Sequence, residues 1–229
     1  MDFTSAAFWA ALGSIILANV LLSGDNAVVI AMAARTLPQH LQKKAIFYGS
    51  AAAIVMRIVL TLIAVEMLKW PFLKIVGGLL LVYIGVTLLL DEDGGGDMGA
   101  KADGGLMTAI RTILVADLVM SLDNVLAVAA AAKGNTGLLV LGLAISIPLI
   151  IFGSTLLLKV MERYPVIITL GAGLLGFLAG EMVFTDPAMT SRFGTLSHTV
   201  VNIAGVAGAL LVVALGKFLQ GRQAAAHPA

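Results

Sequence analysis

The sequence predicts an all-α membrane protein with about seven transmembrane helices, arranged as two inverted three-helix repeats plus one C-terminal helix. Three observations carry that prediction. The 229 residues are 60% hydrophobic and 12% charged, with a mean hydropathy of +1.04, a balance suited to a chain solvated mostly by lipid. Seven apolar segments are long enough to span a bilayer: 6–34, 44–66, 70–90, 107–132, 137–159, 165–183 and 198–219. A repeat of polar residues inside those segments relates the first half of the chain to the second.

The first segment starts MDFTSAAFWAALGSIILANVLLSGDN. It lacks the basic n-region and small-residue cleavage site of a signal peptide, so it is expected to stay as the first spanning helix. Its roughly 29 residues would measure about 43 Å at 1.5 Å per residue against a ~30 Å core, so tilt, a kink or a cytoplasmic extension must absorb the excess. Pro38, Pro71, Pro165 and Pro187 fall at or near the breaks between segments, where a missing backbone N–H does least harm. The stretch DEDGGGDMGAKADGG (91–105) is too polar for lipid and too rich in Gly and Asp to pack, and reads as a flexible linker. The expected organisation is a first three-helix repeat over 1–90, a cytoplasmic linker over 91–106, a second repeat over 107–183, and a loop, seventh helix and tail over 184–229.

The repeat is read from residues. LANVLLSGDNAVVIAMAAR (17–35) aligns without a gap on VADLVMSLDNVLAVAAAAK (115–133), matching Ala18 with Ala116, Ser23 with Ser121, Asp25 with Asp123 and Asn26 with Asn124. GGLLLVYIG (77–85) likewise lines up with AGLLGFLAG (172–180). A unit of three helices is odd, so the second copy must enter the membrane upside down, the plan of many secondary transporters. With the N-terminus outside, Arg35, Lys43, Lys44, Lys101, Arg111, Lys159, Arg163, Lys217 and Arg222 fall on the cytoplasmic side and Lys69, Lys74, Lys133 and Arg192 outside. That count favours an outside N-terminus and a cytoplasmic C-terminus.

Both copies place Ser-x-Asp-Asn near the middle of an apolar segment. An Asp at a helix centre costs about 2.5–3.5 kcal/mol on insertion scales, so Asp25, Asp117 and Asp123 are candidate functional acids. Helical spacing groups Asn19, Ser23 and Asn26 on one stripe and Asp117, Ser121 and Asn124 on its counterpart. Asp25 and Asp123 lie about 100° from the following Asn, so a shared ligand requires a wide polar face or a break, which Gly24 permits in the first copy. Carboxylates, amides and hydroxyls suit a hard divalent cation such as Mn²⁺, Mg²⁺ or Ca²⁺. Met32 and Met120 could soften such a site. The candidate metal ligands are therefore Asp25, Asn26, Asp117, Asp123 and Asn124, with Asn19, Ser23 and Ser121 in support. The alternative for Asn19, Ser23 and Ser121 is hydrogen-bonding glue between helices. Arg57, mid-way along the second segment, is expected to be a counter-ion for an intramembrane acid. Glu66 and Lys74 read as interfacial, Glu181 as a ligand on the way in, and Gly77, Gly78, Gly173, Gly176 and Gly180 as close helix packing.

Composition excludes other chemistry. The chain has no Cys, hence no disulfide, thiolate metal site or Cys nucleophile. Its three His (His40, His198, His227) fall outside the segment centres and form no zinc cluster. With 14 Lys+Arg against 13 Asp+Glu there is no case for a nucleic-acid partner. An enzyme is not expected, because S-G-D-N has neither a His partner nor a second matched catalytic acid.

LLSGDNAVVIAMAAR, LVMSLDNVLAVAAAAK and GGLLLVYIGVTLLL resemble the TerC family of integral membrane proteins, in particular its short bacterial branch of metal transporters, over roughly residues 8–218. The resemblance implies membership in the wider superfamily of small exporters that includes the LysE-type amino-acid exporters. It also implies divalent-metal handling, most often Mn²⁺ efflux, with the motif acids as ligands. The family pattern has an acid six positions before each motif Asp; here Asp117 keeps it and Asn19 replaces it. The function expected is export of a divalent cation, Mn²⁺ favoured, across the bacterial cytoplasmic membrane by alternating access, with the cation as substrate and no permanent cofactor. Two rivals stand beside it: a membrane partner for metal loading or insertion of exported proteins, docking through the linker, and an exporter of a small organic solute, with Arg57 as its anion-binding group. A homo-oligomer is left open.

Overall fold

A computed structural model describes residues 6–22, 24–67, 70–90, 102–131 and 136–226. Every regular element among them is a helix: α1 (Ala6–Leu22), α2 (Gly24–Arg35), α3 (Gln39–Met67), α4 (Leu73–Leu90), α5 (Ala102–Ala131), α6 (Thr136–Arg163), α7 (Val166–Phe184), α8 (Pro187–Phe193) and α9 (His198–Ala226). Six of these, α3 to α7 and α9, are long and apolar enough to cross a membrane, and α1 contributes a further apolar stretch, Phe8–Leu17. The chain is therefore a multi-pass, all-α membrane protein. Helices suit lipid because they satisfy their backbone polar groups internally. Hydroxyls do the same: Thr61 donates to the carbonyl of Arg57 at 2.7 Å, Ser146 to that of Gly142 at 2.9 Å and Thr155 to that of Ile151 at 2.7 Å.

The first apolar segment is occupied by α1 and α2. At 17 residues, α1 is roughly 26 Å long at 1.5 Å per residue, short of a ~30 Å core. The expected linker ends sooner than its composition suggests, since α5 already begins at Ala102. The stretch between α7 and α9 holds α8, a short helix that hydropathy did not foresee.

Helices approach one another through glycine. A Cβ on Gly49 of α3 would lie 2.7 Å from Ile113 of α5, and one on Gly171 of α7 would lie 2.7 Å from the Met32 sulfur and 2.8 Å from Val28 of α2. Each notch receives a branched or flexible apolar side chain, which is how membrane helices gain dispersion contact where lipid offers no hydrophobic drive. The α7–α9 contact is tighter, backbone against backbone: a Cβ on Gly176 or Gly208 would collide with the other's carbonyl, and one on Gly180 with that of Ala204. The spacing is small-xxx-small on both helices, run antiparallel. Beside α9, Gly78 of α4 faces the Ala179 carbonyl of α7, and Gly85 faces Val212 of α9 and the Ala172 carbonyl of α7. The two third helices of the aligned halves thus pack antiparallel on each other.

Elsewhere α1 and α2 lie on α6, while α5 lies on α3. Polar ties fix both ends of α4. At its C-terminal end Arg35 donates to the Leu88 carbonyl at 3.2 Å and Gln220 to the Leu89 carbonyl at 2.7 Å, meeting carbonyls that a helix end leaves open. At its N-terminal end the fully buried Asp186 accepts backbone N–H bonds from Phe72, Lys74 and Ile75 at 2.9, 3.0 and 3.3 Å. Asp186 also caps α8 through Ala188 N–H at 2.7 Å, with Pro187 at the first helical position.

Candidate functional site

The polar residues of the aligned motifs meet where α2, α3 and α5 pack together. On α3, Arg57 is 2% exposed in an otherwise apolar stretch, and a guanidinium there must be matched by an acid. The match is Asp117 on α5, itself buried, whose Oδ1 accepts a bond from the Arg57 guanidinium. Ser121, one turn further along α5 and fully buried, accepts from Arg57 Nε at 3.0 Å and donates its hydroxyl to Asp117 Oδ2 at 3.2 Å. The three side chains close a triangle in which both carboxylate oxygens of Asp117 carry a donor. The four-residue spacing of Asp117 and Ser121 puts them on one face of α5.

Asp25, on α2, belongs to the motif aligned with this one. It lies in the first turn of α2, half-buried, and within electrostatic reach of both Arg57 and Asp117. Its Oδ1 accepts the Asn26 N–H at 2.8 Å. Such an N–H is one of the donors that the start of a helix leaves without a backbone acceptor, and a first-turn carboxylate is favoured there by the helix dipole. Asn26 is buried, and neither its amide oxygen nor its amide nitrogen finds a hydrogen-bond partner among the described residues.

Of the residues singled out in the sequence, the structure therefore joins Arg57 of α3 to Asp117 and Ser121 of α5, and sets Asp25, next to Asn26 at the start of α2, within electrostatic reach of Arg57 and Asp117. Ser23 lies outside the described residues, as do the side chains of Asn19, Asp123 and Asn124, and of Glu66. No group of three or more His, Cys, Asp or Glu able to hold a metal occurs among the described residues. Met32 and Met120 are buried in the core, the Met32 sulfur filling the notch at Gly171.

Other polar positions escaped the reading of the sequence. Ser50 on α3 and Ser154 on α6 are buried hydroxyls with no hydrogen-bond partner among the described residues; single serines in apolar segments carry no signal that separates them from helix glue. Asp186 also escaped, although Asp followed by Pro is a recognisable start of a helix.

Comparison with known proteins places this architecture. The chain is 44% identical over 196 residues to the uncharacterized membrane protein YjbE of Bacillus subtilis, covering 84% of this chain and 88% of that one. It is 26% identical over 235 residues to YceF of the same organism, covering 96% and 88%. It is 24% identical over 173 residues to the inner membrane protein YgdQ of Escherichia coli, covering 69% and 73%. No solved structure matches. The family model for the integral membrane protein TerC family matches residues 4–224. With nearly its whole length matched, the chain belongs to the TerC family of integral membrane proteins.

Proposed function

We propose that this protein exports a divalent metal cation, Mn²⁺ most favoured, by alternating access around its intramembrane Asp and Asn side chains. The observation that carries the reading is the buried Arg57–Asp117 pair that joins α3 to α5, with the half-buried Asp25 of α2 within electrostatic reach of it. Intramembrane acids are costly, and two of them within electrostatic reach of each other call for positive charge. The donor set is oxygen-rich, with the amide of Asn26 buried and without a hydrogen-bond partner among the described residues, which fits a hard cation better than a thiophilic one. Asp25, Asn26, Asp117, Asp123 and Asn124 are the proposed ligands, with Asn19, Ser23 and Ser121 orienting them.

Alternating access rests on the two-repeat reading. In its favour, α1 and α2 pack on α6 as α5 packs on α3, and the third helices pack on each other, the exchange of partners that two repeats related by a pseudo-two-fold axis would make. The proposed orientation has the N-terminus outside and the C-terminus in the cytoplasm. The rival substrate, a small organic anion, would need Arg57 as its receptor, and Asp117 already engages that guanidinium.

The test is flux in proteoliposomes. Purified protein is expected to carry Mn²⁺ in a saturable way under a proton gradient or a membrane potential, and Asp25→Asn and Asp123→Asn are expected to abolish it. Absence of flux of Mn²⁺, Mg²⁺ or Ca²⁺ from folded protein under either force would sink the proposal.

A further inference from the structure

The Arg57–Asp117–Ser121 triangle has a property that the transport reading does not use: the better buried of the two described acids, Asp117, is already taken by a cation belonging to the protein. Both Asp117 oxygens are engaged, Oδ1 by the Arg57 guanidinium and Oδ2 by the Ser121 hydroxyl. A divalent cation bound to the same carboxylate would sit close to the guanidinium, and like charges at that separation repel strongly in a low-dielectric interior.

We infer that Arg57 is a tethered counter-cation that occupies Asp117 in the empty carrier and is displaced from it when the transported cation binds. The inference rests on the proposed function and names the residue that competes with the substrate. Three features support it. Arg57 and Asp117 come from different helices, so the pair can open by relative movement of α3 and α5 without breaking a helix. Arg57 has a second hold, Nε on Ser121 at 3.0 Å, on which the guanidinium can pivot while its outer nitrogen releases the carboxylate. Asp25 lies within reach of the same guanidinium while half-buried, so the approaching cation has one acid to meet before it has to displace Arg57 from the other.

A competing internal cation has two consequences. It weakens substrate binding, because every binding event must first break the pair. It also lets the empty carrier reorient, because an acid facing the membrane interior without a counter-charge is heavily penalised. Removal of Arg57 should therefore tighten binding and slow the return of the empty carrier. A bridge that merely holds α3 to α5 would do neither.

The experiment compares wild type with Arg57→Gln in detergent and in proteoliposomes, with MnCl₂ as the probe. By titration calorimetry, Arg57→Gln is expected to bind Mn²⁺ about tenfold or more tightly than wild type, from the loss of one repelling charge at contact distance. In proteoliposomes it is expected to keep Mn²⁺/Mn²⁺ exchange and to lose net efflux. A folded Arg57→Gln protein that binds Mn²⁺ with wild-type or weaker affinity overturns the inference. Should that variant fail to fold, infrared difference spectra of wild type labelled with guanidinium-¹⁵N arginine decide the matter. A guanidinium band that shifts on adding Mn²⁺ is expected, and a spectrum without one overturns the inference. If wild type binds Mn²⁺ but shows neither effect, Arg57 is a structural bridge and the exporter reading stands; if wild type binds no divalent cation, both fall together.

Discussion

Asp186 offers the most direct test of how the N-terminal ends of α4 and α8 are held. Its carboxylate, fully buried, collects four backbone N–H bonds: Phe72 and Ala188 on Oδ1, Lys74 and Ile75 on Oδ2. Three of these donors belong to the start of α4 and its approach, and one to α8, so a single side chain joins two helix N-termini. The approach to α4 is strained as well, since Phe72 holds φ at 70°, a left-handed backbone that a bulky residue rarely adopts. Asp186→Asn keeps one acceptor oxygen and turns an NH₂ toward the two donors that Oδ2 had served. Each lost bond to a charged acceptor is worth about 1.5–3 kcal/mol, so the pair represents roughly 3–6 kcal/mol. At about 2–4 °C per kcal/mol for a chain of this size, Tm should fall by about 10 °C. Thermal unfolding in detergent, followed by tryptophan emission, measures it, because Trp70 stands two residues before Phe72. Mn²⁺ affinity below the transition should not change. A Tm within about 2 °C of wild type would show that water or another group serves those N–H donors equally well, and would refute the reasoning.

Other outcomes follow from the same physics. Asp117→Asn should destabilise the fold by about 3–5 kcal/mol, since it neutralises the buried acid that Arg57 pairs with on α5, whereas the double variant Arg57→Gln with Asp117→Asn should recover most of that loss; denaturation midpoints of wild type, the two single variants and the double variant form the cycle. Asp25→Asn, at a half-buried position with no ion pair among the described residues, should leave Tm nearly unchanged and abolish Mn²⁺ flux. Gly208→Ala should cost about 1–3 kcal/mol or more, because its Cβ meets the backbone of Gly176, which cannot move aside. Gly173→Ala, whose Cβ would find its nearest neighbour at 3.5 Å on Val213, should be tolerated, and the difference between the two Tm values tests the packing argument.

The elements were legible because lipid allows so few alternatives. Long apolar segments punctuated by Pro38, Pro71 and Pro165 read as helices, and most of their bounds came within five residues of those observed, although α9 runs seven residues further and the first segment is shared by α1 and α2. Hydropathy could not see α8, whose sequence is neither apolar nor long, nor the acid that caps it. The role of Asp186 depends on residues 72–75, more than a hundred positions away, and no local pattern carries that information. The glycines were read as packing positions from their spacing, but their partners were not, since a notch does not name the side chain that fills it.

The same limit explains what was legible in the site. Placing Asp117 and Ser121 on one face of α5 needs only the helical period, and the hydrogen bond between their side chains follows. The acid opposite Arg57 depends on the register between α3 and α5, which Ile113 sets by filling the notch at Gly49. Counting eight residues from each of those positions reaches Arg57 on one helix and Ser121 on the other, the pair joined through Nε, with Asp117 one turn before. A shift of that register by one turn would offer Arg57 a different partner with no change in composition or hydropathy. Site chemistry in this fold is therefore fixed by apolar contacts two turns away from it. Filling the notch with Gly49→Val should disturb the Arg57 pair and cation binding even though residue 49 touches neither. Loss of Mn²⁺ affinity in folded Gly49→Val is the result expected; unchanged affinity would mean that the ion pair itself, and not the glycine contact, sets the register.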